Sequence, residues 1–309
     1  MKFLTAAIFF ALSVILQHFW IKCQQKIHLT QQQKWYGVNI DNEIKAATPS
    51  MGGVIFLLLG GLALLMDFSV DGVIFWSLPI LSGLIGFADD WMKFRSHTSE
   101  GFSSLSKLKL QLLLCALWVM AVFFRGKLGL WPGIFDGYSW ITIPVSFLIT
   151  AGTINAVNIT DGLDGLAAGS FMISVAVMMI LIPAGGFNSR TMIELFGMTA
   201  GFMFFNVRPA KTFMGDTGSH FLGGALAALC VINGRTIAVI PAGFIFIVDM
   251  LSSAIQIFTI RKLHRKIFLM APLHHHYQKK GLDETAVTIR FWLVHSVMGV
   301  ILALLLSSI

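Results

Sequence analysis

The chain has 309 residues, of which 56% are hydrophobic and only 12% are charged, and its mean hydropathy is +0.79. A water-soluble domain of this length could not bury so much apolar surface while carrying so little charge, so the composition excludes one. The net charge of +7 is therefore assigned to basic cytoplasmic loops and to an anionic substrate or lipid surface, and no nucleic-acid partner is expected.

Apolar runs close to the roughly 20 residues that cross a bilayer predict a multi-pass, all-α membrane protein, with one domain over residues 1–309. We predict ten spans, at 3–21, 50–67, 72–88, 108–125, 140–157, 165–183, 191–206, 218–233, 236–259 and 288–308. The first is predicted to be an uncleaved span, because no small-residue cleavage site follows it. The three cysteines, Cys23, Cys115 and Cys230, are far apart and indicate no disulfide framework.

The distribution of Lys and Arg predicts the orientation in the membrane. Most of the 22 basic residues fall on one side of the predicted spans. The exceptions are Lys2, Arg125, Lys127, Arg190 and Arg235. Cytoplasmic loops carry the excess of positive charge, so the basic side is predicted to be cytoplasmic and both termini extracytoplasmic.

Five aspartates lie where apolar runs stop, and all five fall on the predicted cytoplasmic side. They are Asp89, Asp90, Asp161, Asp164 and Asp216. Carboxylates gathered at one membrane surface, with lysines and histidines beside them, suggest a metal-dependent site for phosphate chemistry.

The first of these acids form the pair Asp89-Asp90, with Lys93 one helical turn further on. Adjacent carboxylates repel each other unless a cation lies close by, and a divalent metal or Lys93 could supply that charge. A solvated helix terminus would explain the same pattern.

The segment Asn158-x-x-Asp161-Gly162-x-Asp164-Gly165 precedes a predicted helix. Its glycines let the backbone turn sharply and approach a ligand, and its acids lie near the positive end of the helix dipole. One Asp would be enough for N-capping, so the extra carboxylate favours a binding site.

The segment from Asn206 to Gly218 links two spans and contains Arg208, Lys211, Phe213 and Asp216. Asp216 between glycines suits a hard cation such as Mg²⁺. Arg208 and Lys211 could hold phosphate oxygens, although the positive charge of cytoplasmic loops also explains them.

Three consecutive histidines, His274–His276, follow Ala271-Pro272 in a long basic loop. Consecutive histidines cannot all bind one metal with ordinary geometry, so hydrogen bonds to a diphosphate are the functional alternative to a solvated loop. Asp249 is predicted to lie within a span, where an acid is a functional candidate, although a hydrogen bond to Ser or Gln256 would also satisfy it.

Together these segments resemble the polyprenyl-phosphate N-acetylhexosamine-1-phosphate transferases, and among them the phospho-N-acetylmuramoyl-pentapeptide-transferase family. The matching segments are TPSMGG (48–53), FADDWMK (87–93), NAVNITDGLDGLAAG (155–169), FMGDTGSHFLGG (213–224) and APLHHHY (271–277). The triple histidine points to this family rather than to relatives that use N-acetylglucosamine-phosphate.

The resemblance implies transfer of phospho-MurNAc-pentapeptide from UDP-MurNAc-pentapeptide to undecaprenyl phosphate. The products would be lipid I and UMP, and the reaction would use Mg²⁺ at the cytoplasmic face of the bacterial inner membrane. A homodimer is implied only by the same resemblance.

The resemblance also implies roles for individual residues. Asp216 and Asn158 would be metal ligands, Asp89 the base towards the lipid phosphate with Asp90 supporting it, and Asp161 a second carboxylate or a covalent nucleophile. The residues expected to bind substrate are Lys45, Lys93, Lys109, Asn158, Gly162, Asp164, Asn206, Phe213, His274 and His275.

The sequence departs from the family pattern at several positions. Ala47 and Ser50 stand where Gly and Thr are frequent, and Gln278 stands where an acid is frequent. Lys107 and Lys109 could both match one family lysine, and Lys109 is the predicted match.

Two other functions fit part of the pattern. An intramembrane prenyltransferase would use Asp-rich loops with Mg²⁺, but it would have no use for the histidine run. A cation/proton antiporter would place paired acids near the membrane midplane, often in inverted repeats, whereas only Asp249 is predicted to lie so deep and no repeat is visible.

Overall fold

The fold is all-helical in the computed structural model, which describes residues 2–27, 29, 48–96, 101–135, 137–182 and 185–308. Within these residues the chain forms twelve α-helices and one 3₁₀ turn, and it has no β-strand. The helices are α1 (Lys2–Lys26), α2 (Val54–Met66), α3 (Val70–Ser96), α4 (Ser104–Phe124), α5 (Ser139–Thr160), α6 (Leu166–Leu181), α7 (Gly186–Asn206), α8 (Gly215–Val231), α9 (Val239–Ala242), α10 (Phe244–Leu263), α11 (Leu273–Lys279) and α12 (Glu284–Ser307).

Six of these helices, α1, α3, α4, α5, α10 and α12, are long and apolar enough to cross a membrane. Each of the ten predicted spans contains a helix, but α2 has 13 residues and α6 has 16, fewer than the roughly 20 that a full crossing needs. The all-helical prediction is thus confirmed, and the number of ten spans stays a prediction.

The predicted span over 236–259 is broken near its start. A 3₁₀ turn over Thr236–Ala238 leads into the four-residue α9, and α10 begins only after Gly243. Pro241 and Gly243 explain the break, because these residue types continue a helix least readily.

The outer faces of the helices expose large hydrophobic side chains, among them Leu65, Phe124 and Trp140. Apolar exposure on this scale would be unfavourable in water. It is the surface expected of helices that lie against lipid.

Helix α8 lies at the centre of the structure, and every residue from Thr217 to Val231 is buried. Its sequence is rich in Gly and Ala, which allow neighbouring backbones to approach closely where the hydrophobic effect cannot drive helices together. A Cβ on Gly223 would lie 2.7 Å from Cα of Ile154 in α5, and one on Gly224 would lie 2.9 Å from Cα of Pro79 in α3. The central helix therefore fixes the positions of α3 and α5.

Helix α3 crosses the start of α8 at an especially short distance. A Cβ on Gly86 would lie 2.2 Å from the carbonyl oxygen of Asp216, so only glycine fits there. One turn earlier, the Ser82 hydroxyl donates a hydrogen bond to the His220 carbonyl at 2.9 Å. These contacts hold the carboxyl end of α3 beside the amino end of α8.

The TPSMGG segment pairs with the chain just before α8. Phe213 N–H donates to the Pro49 carbonyl at 2.8 Å, and Gly52 N–H donates back to the Phe213 carbonyl at 2.8 Å. A Cβ on Gly53 would lie 2.2 Å from the backbone nitrogen of Gly218. The small residues of this segment therefore allow close packing against the start of α8.

The other end of α3 carries a separate charged group. Asp71 pairs with Lys127 at 2.5 Å. Along the axis of α3, Asp71 lies about 27 Å from Asp89. The guanidinium group of Arg235 lies over the Trp131 ring at 5.1 Å, close to the same loop. Basic residues predicted for one side of the membrane therefore lie at the end of the bundle opposite Asp89.

We predict that Gly86→Ala lowers the free energy of unfolding by about 1–3 kcal/mol, because the new methyl group must push α3 away from the α8 backbone. Chemical denaturation in detergent, followed by tryptophan fluorescence, measures this change. Gly152→Ala in α5 is the matched control, since a Cβ there meets nothing within 4 Å. That variant should be neutral or more stable by up to about 1 kcal/mol, and equal stabilities for the two variants would contradict the packing argument.

Candidate active site

Asp216, in the first turn of α8, joins four helices through its carboxylate. Its Oδ1 accepts a hydrogen bond from Asn158 Nδ2 of α5 at 2.9 Å. Its Oδ2 accepts from Lys93 Nζ of α3 at 2.8 Å and from Lys107 Nζ of α4 at 2.5 Å. Asp216 is therefore the centre of a polar cluster at one end of the bundle.

The neighbouring carboxylates of Asp89 and Asp90 have different partners. Asp89 pairs with Lys93 at 2.6 Å and accepts from Phe102 N–H at 2.8 Å. Asp90 accepts from the backbone N–H of Asp216 at 3.1 Å, and from the N–H and hydroxyl of Thr217 at 2.9 and 2.7 Å. Asp90 thus caps the amino end of α8, whereas Asp89 faces the lysines.

Asp89, Asp90 and Asp216 form a group that fits a metal ion. One ligand oxygen from each lies within 4.8 Å of the others. Carboxylate oxygens are hard ligands suited to Mg²⁺, and two ammonium groups already lie against them. The cluster therefore attracts cationic charge, and the amide oxygen of Asn158 could complete a ligand set.

The structure brings Lys107, and not Lys109, into this cluster. Lys107 Nζ lies 2.5 Å from Asp216 and 3.5 Å from Asp89, whereas Lys109 is exposed. Two residues along a helix correspond to a rotation of about 200°, so the two lysines face different directions. The geometry favours Lys107 over the predicted Lys109 for a role in the site.

The predicted acidic loop connects α5 to α6. Asp161 ends α5, and Gly165 adopts a φ of 74° before α6 begins at Leu166. Burial raises the pKa of Asp161 well above its usual value, and the negative charges of Asp216, Asp90 and Asp164 raise it further. Asp161 therefore lies within electrostatic reach of the carboxylate cluster.

Asp164 and Asn206 brace this loop from the inside. Asp164 Oδ2 accepts from Ala210 N–H at 3.0 Å, while Asp164 N–H donates to Glu284 Oε1 at 2.8 Å. Asn206 accepts from Gly165 N–H at 3.2 Å and donates to the Thr212 carbonyl at 2.9 Å. The contacts of Asn206 are to protein backbone, so in this structure it positions the loop.

Two further residues, Phe213 and Lys45, are predicted to bind substrate. Phe213 is partly buried beside Asp216, and its backbone pairs with the TPSMGG segment. Lys45 lies outside the described residues, so its predicted role stays a prediction.

The three histidines of α11 have three different environments. His274 is fully buried and pairs through Nδ1 with Asp249 at 2.5 Å. His275 Nδ1 bonds to Gln278 Oε1 at 2.7 Å, and His276 Nδ1 accepts from Leu269 N–H at 3.0 Å. The three imidazoles therefore contact three different groups.

His274 and His275 face the acidic loop. A Cβ on Gly162 would lie 2.5 Å from His274 Nε2 and 3.4 Å from His275 Nε2. The loop and the two imidazoles therefore form one wall, while Asn158 connects α5 to the carboxylate cluster.

Sequence reasoning missed two residues that the structure places at or behind this site, Thr217 and Glu284. It named Lys107 as a candidate but favoured Lys109. No sequence signal linked Glu284 to Asp164, which lies 120 residues earlier.

A helical bundle that gathers carboxylates, lysines and imidazoles at one end defines a membrane protein with a candidate metal and phosphate site. A profile of glycosyl transferase family 4 matches residues 73–234, and phospho-N-acetylmuramoyl-pentapeptide-transferase signature 1 matches residues 45–57.

Three phospho-N-acetylmuramoyl-pentapeptide-transferases are similar over most of the chain. The one from Shouchella clausii is 33% identical over 96% of this chain and 96% of its own length. The one from Bartonella quintana is 34% identical over 83% of this chain and 79% of its own length. The one from Desulfotalea psychrophila is 33% identical over 94% of this chain and 88% of its own length. The chain belongs to the phospho-N-acetylmuramoyl-pentapeptide-transferases.

We predict that Lys107→Gln tightens Mn²⁺ binding about ten-fold or more, because an ammonium group competes with the metal for Asp216 and Asp89 at short range. Lys109→Gln is the matched control, because it removes the same charge from an exposed lysine two residues away. Titration of purified protein with Mn²⁺, followed by electron paramagnetic resonance, measures the affinity. Equal affinities for the two variants would argue against a metal site beside Lys107.

Proposed function

We propose that the protein transfers phospho-MurNAc-pentapeptide from UDP-MurNAc-pentapeptide to undecaprenyl phosphate, giving lipid I and UMP in peptidoglycan synthesis. The observation that carries the proposal is the carboxylate–lysine cluster around Asp216 at the helix ends of a family member. A lipid-linked phosphate remains at the membrane surface, so its reaction partner must bind where transmembrane helices end.

The chemistry of this transfer matches the residues present. Phosphoryl transfer depends on positioning and charge neutralisation more than on covalent participation by the protein. A phosphate oxygen of the lipid attacks the sugar-linked phosphorus of the donor diphosphate. The bond to the bridging oxygen breaks, and UMP leaves with that electron pair.

Asp216, supported by Asn158, would hold Mg²⁺ together with the other carboxylates of the cluster. The bound ion would supply positive charge to the diphosphate oxygens. Asp89 would accept a proton from the lipid phosphate when that group arrives protonated, and Asp90 keeps α8 and Asp216 in place.

The remaining substrate contacts are assigned by position. Lys93 and Lys107 would bind phosphate oxygens, and His274 and His275 would bind the diphosphate from the opposite wall. The uridine would occupy a pocket formed by Gly162, Asp164, Phe213 and Lys45. Of these four, Lys45 lies outside the residues that the structure describes.

The proposed orientation places this site at the cytoplasmic face of the bacterial inner membrane, with ten spans in one domain and both termini extracytoplasmic. The positive-inside distribution of Lys and Arg supports it. A homodimer is proposed from the family resemblance alone.

The rival functions account for less of the site. A prenyltransferase would leave the imidazole wall around His274 without a use. For an antiporter, the deep acid Asp249 would have to bind and release ions, but it is paired with His274. Family membership favours the phosphoglycosyl transfer over both.

We expect purified protein to release UMP from UDP-MurNAc-pentapeptide only with both Mg²⁺ and undecaprenyl phosphate present. Asp216→Asn should lower the rate at least about 100-fold, because charge stabilisation at the reacting phosphate is lost. Asp71→Asn is the control, since it removes a carboxylate paired with Lys127 at the opposite end of α3. Full activity of folded Asp216→Asn protein would sink the metal assignment.

Direct in-line attack predicts that Asp161 never carries the transferred group. Incubation with the donor and Mg²⁺ but without the lipid acceptor should therefore yield protein of unchanged mass. Intact-protein mass spectrometry after acid quench makes the measurement. A phosphosugar adduct that maps to Asp161, and is absent from Asp161→Asn, would establish a two-step mechanism instead.

A further inference from the structure

Asp249 is a buried acid that the proposed mechanism does not use. It lies in the apolar helix α10, and its side chain has no exposed surface. A carboxylate in such a place is costly unless it is paired. Of the partners expected from the sequence, Gln256 bonds instead to the backbone of Ile267 and Phe268.

The partner of Asp249 is His274, and both carboxylate oxygens take part. Oδ2 lies 2.5 Å from His274 Nδ1, and Oδ1 accepts from the His274 backbone N–H at 3.2 Å. An ionised carboxylate can only accept hydrogen bonds, so this contact requires a proton on Nδ1. Asp249 therefore fixes the rotation of the ring and keeps a proton on Nδ1.

The second ring nitrogen of His274 faces the acidic loop. Nε2 is buried and has no hydrogen-bond partner among the described residues. The position where a Cβ of Gly162 would lie is 2.5 Å away, so only glycine lets the loop lie against this nitrogen. A buried imidazole nitrogen without a partner indicates a ligand that supplies one.

We propose that Asp249 is a positioning residue that orients His274 and balances the charge of its imidazolium form, whose Nε2–H would donate to a phosphate oxygen of the sugar-nucleotide donor beside Gly162. The identity of that ligand rests on the proposed function. The arrangement uses the same logic as a carboxylate that orients a catalytic imidazole and stabilises its imidazolium form. It also links a membrane-embedded helix to the reaction through a single side chain.

The first test is spectroscopic and needs no substrate. Nitrogen-15 NMR of histidine-labelled protein should show a protonated Nδ1 for His274. The His274 signals are assigned as those missing from the spectrum of His274→Gln. Asp249→Asn should shift that signal, and Asp249→Glu should restore it. An unprotonated Nδ1 in the wild type, or a His274 signal unchanged by Asp249→Asn, would overturn the proposal.

The second test separates positioning from a structural role. UMP release should fall about 10–100-fold in Asp249→Asn, the range seen when the partner of an oriented histidine is removed. The double variant Asp249→Asn/His274→Gln should lose no more activity than His274→Gln alone. Multiplied losses in a folded double variant would mean that Asp249 acts independently of His274, contrary to the proposal.

Ser252→Ala is the matched control for both measurements. Its hydroxyl donates to the Asp249 backbone carbonyl at 2.6 Å but does not contact the carboxylate. This variant should keep the wild-type ring spectrum and rate. Absence of UMP release from wild-type protein would overturn the proposed function, while the ring spectrum would still decide whether Asp249 orients His274.

Discussion

The contact between the carboxyl end of α3 and the amino end of α8 is the constraint on which the site depends. Gly86 lets the two backbones meet, and Asp90 satisfies the first free N–H groups of α8. The cap serves two purposes. Asp90 accepts hydrogen bonds from backbone N–H groups that would otherwise be buried without a partner, and it also places Asp89 beside Asp216. A single helix crossing therefore produces both stability and the spacing of three carboxylates.

The charges of the cluster explain why lysines and carboxylates occur together there. Three carboxylates within 4.8 Å would repel one another strongly in a partly desolvated site. Lys93 and Lys107 offset that repulsion without closing the site, because both side chains remain partly exposed. Asp216 already lies beside two ammonium groups. A metal ion could replace one of them next to the carboxylate, and the released lysine could then bind the diphosphate.

Much of the architecture followed from sequence, because hydropathy and helix-end acids are local signals. The motif around Asp216 indicated the centre of the site, and the break before α6 was visible in its glycines. The choice between Lys107 and Lys109 could not be made from the sequence, because it depends on the rotation of α4 relative to α3. The pairing of Asp249 with His274 could not be predicted either, because 25 residues and a turn of the chain separate them.

Biosynthesis adds a consequence to the pairing of Asp90 with the start of α8. Those residues are 126 positions apart, so at ordinary translation rates roughly 6–25 s pass before the second reaches the bilayer. During that interval Asp90 lacks the N–H groups of α8 that it later caps. In the proposed orientation this carboxylate lies at the level of the lipid headgroups, where water can hydrate it until α8 arrives. The same acid halfway along the helix would oppose its insertion.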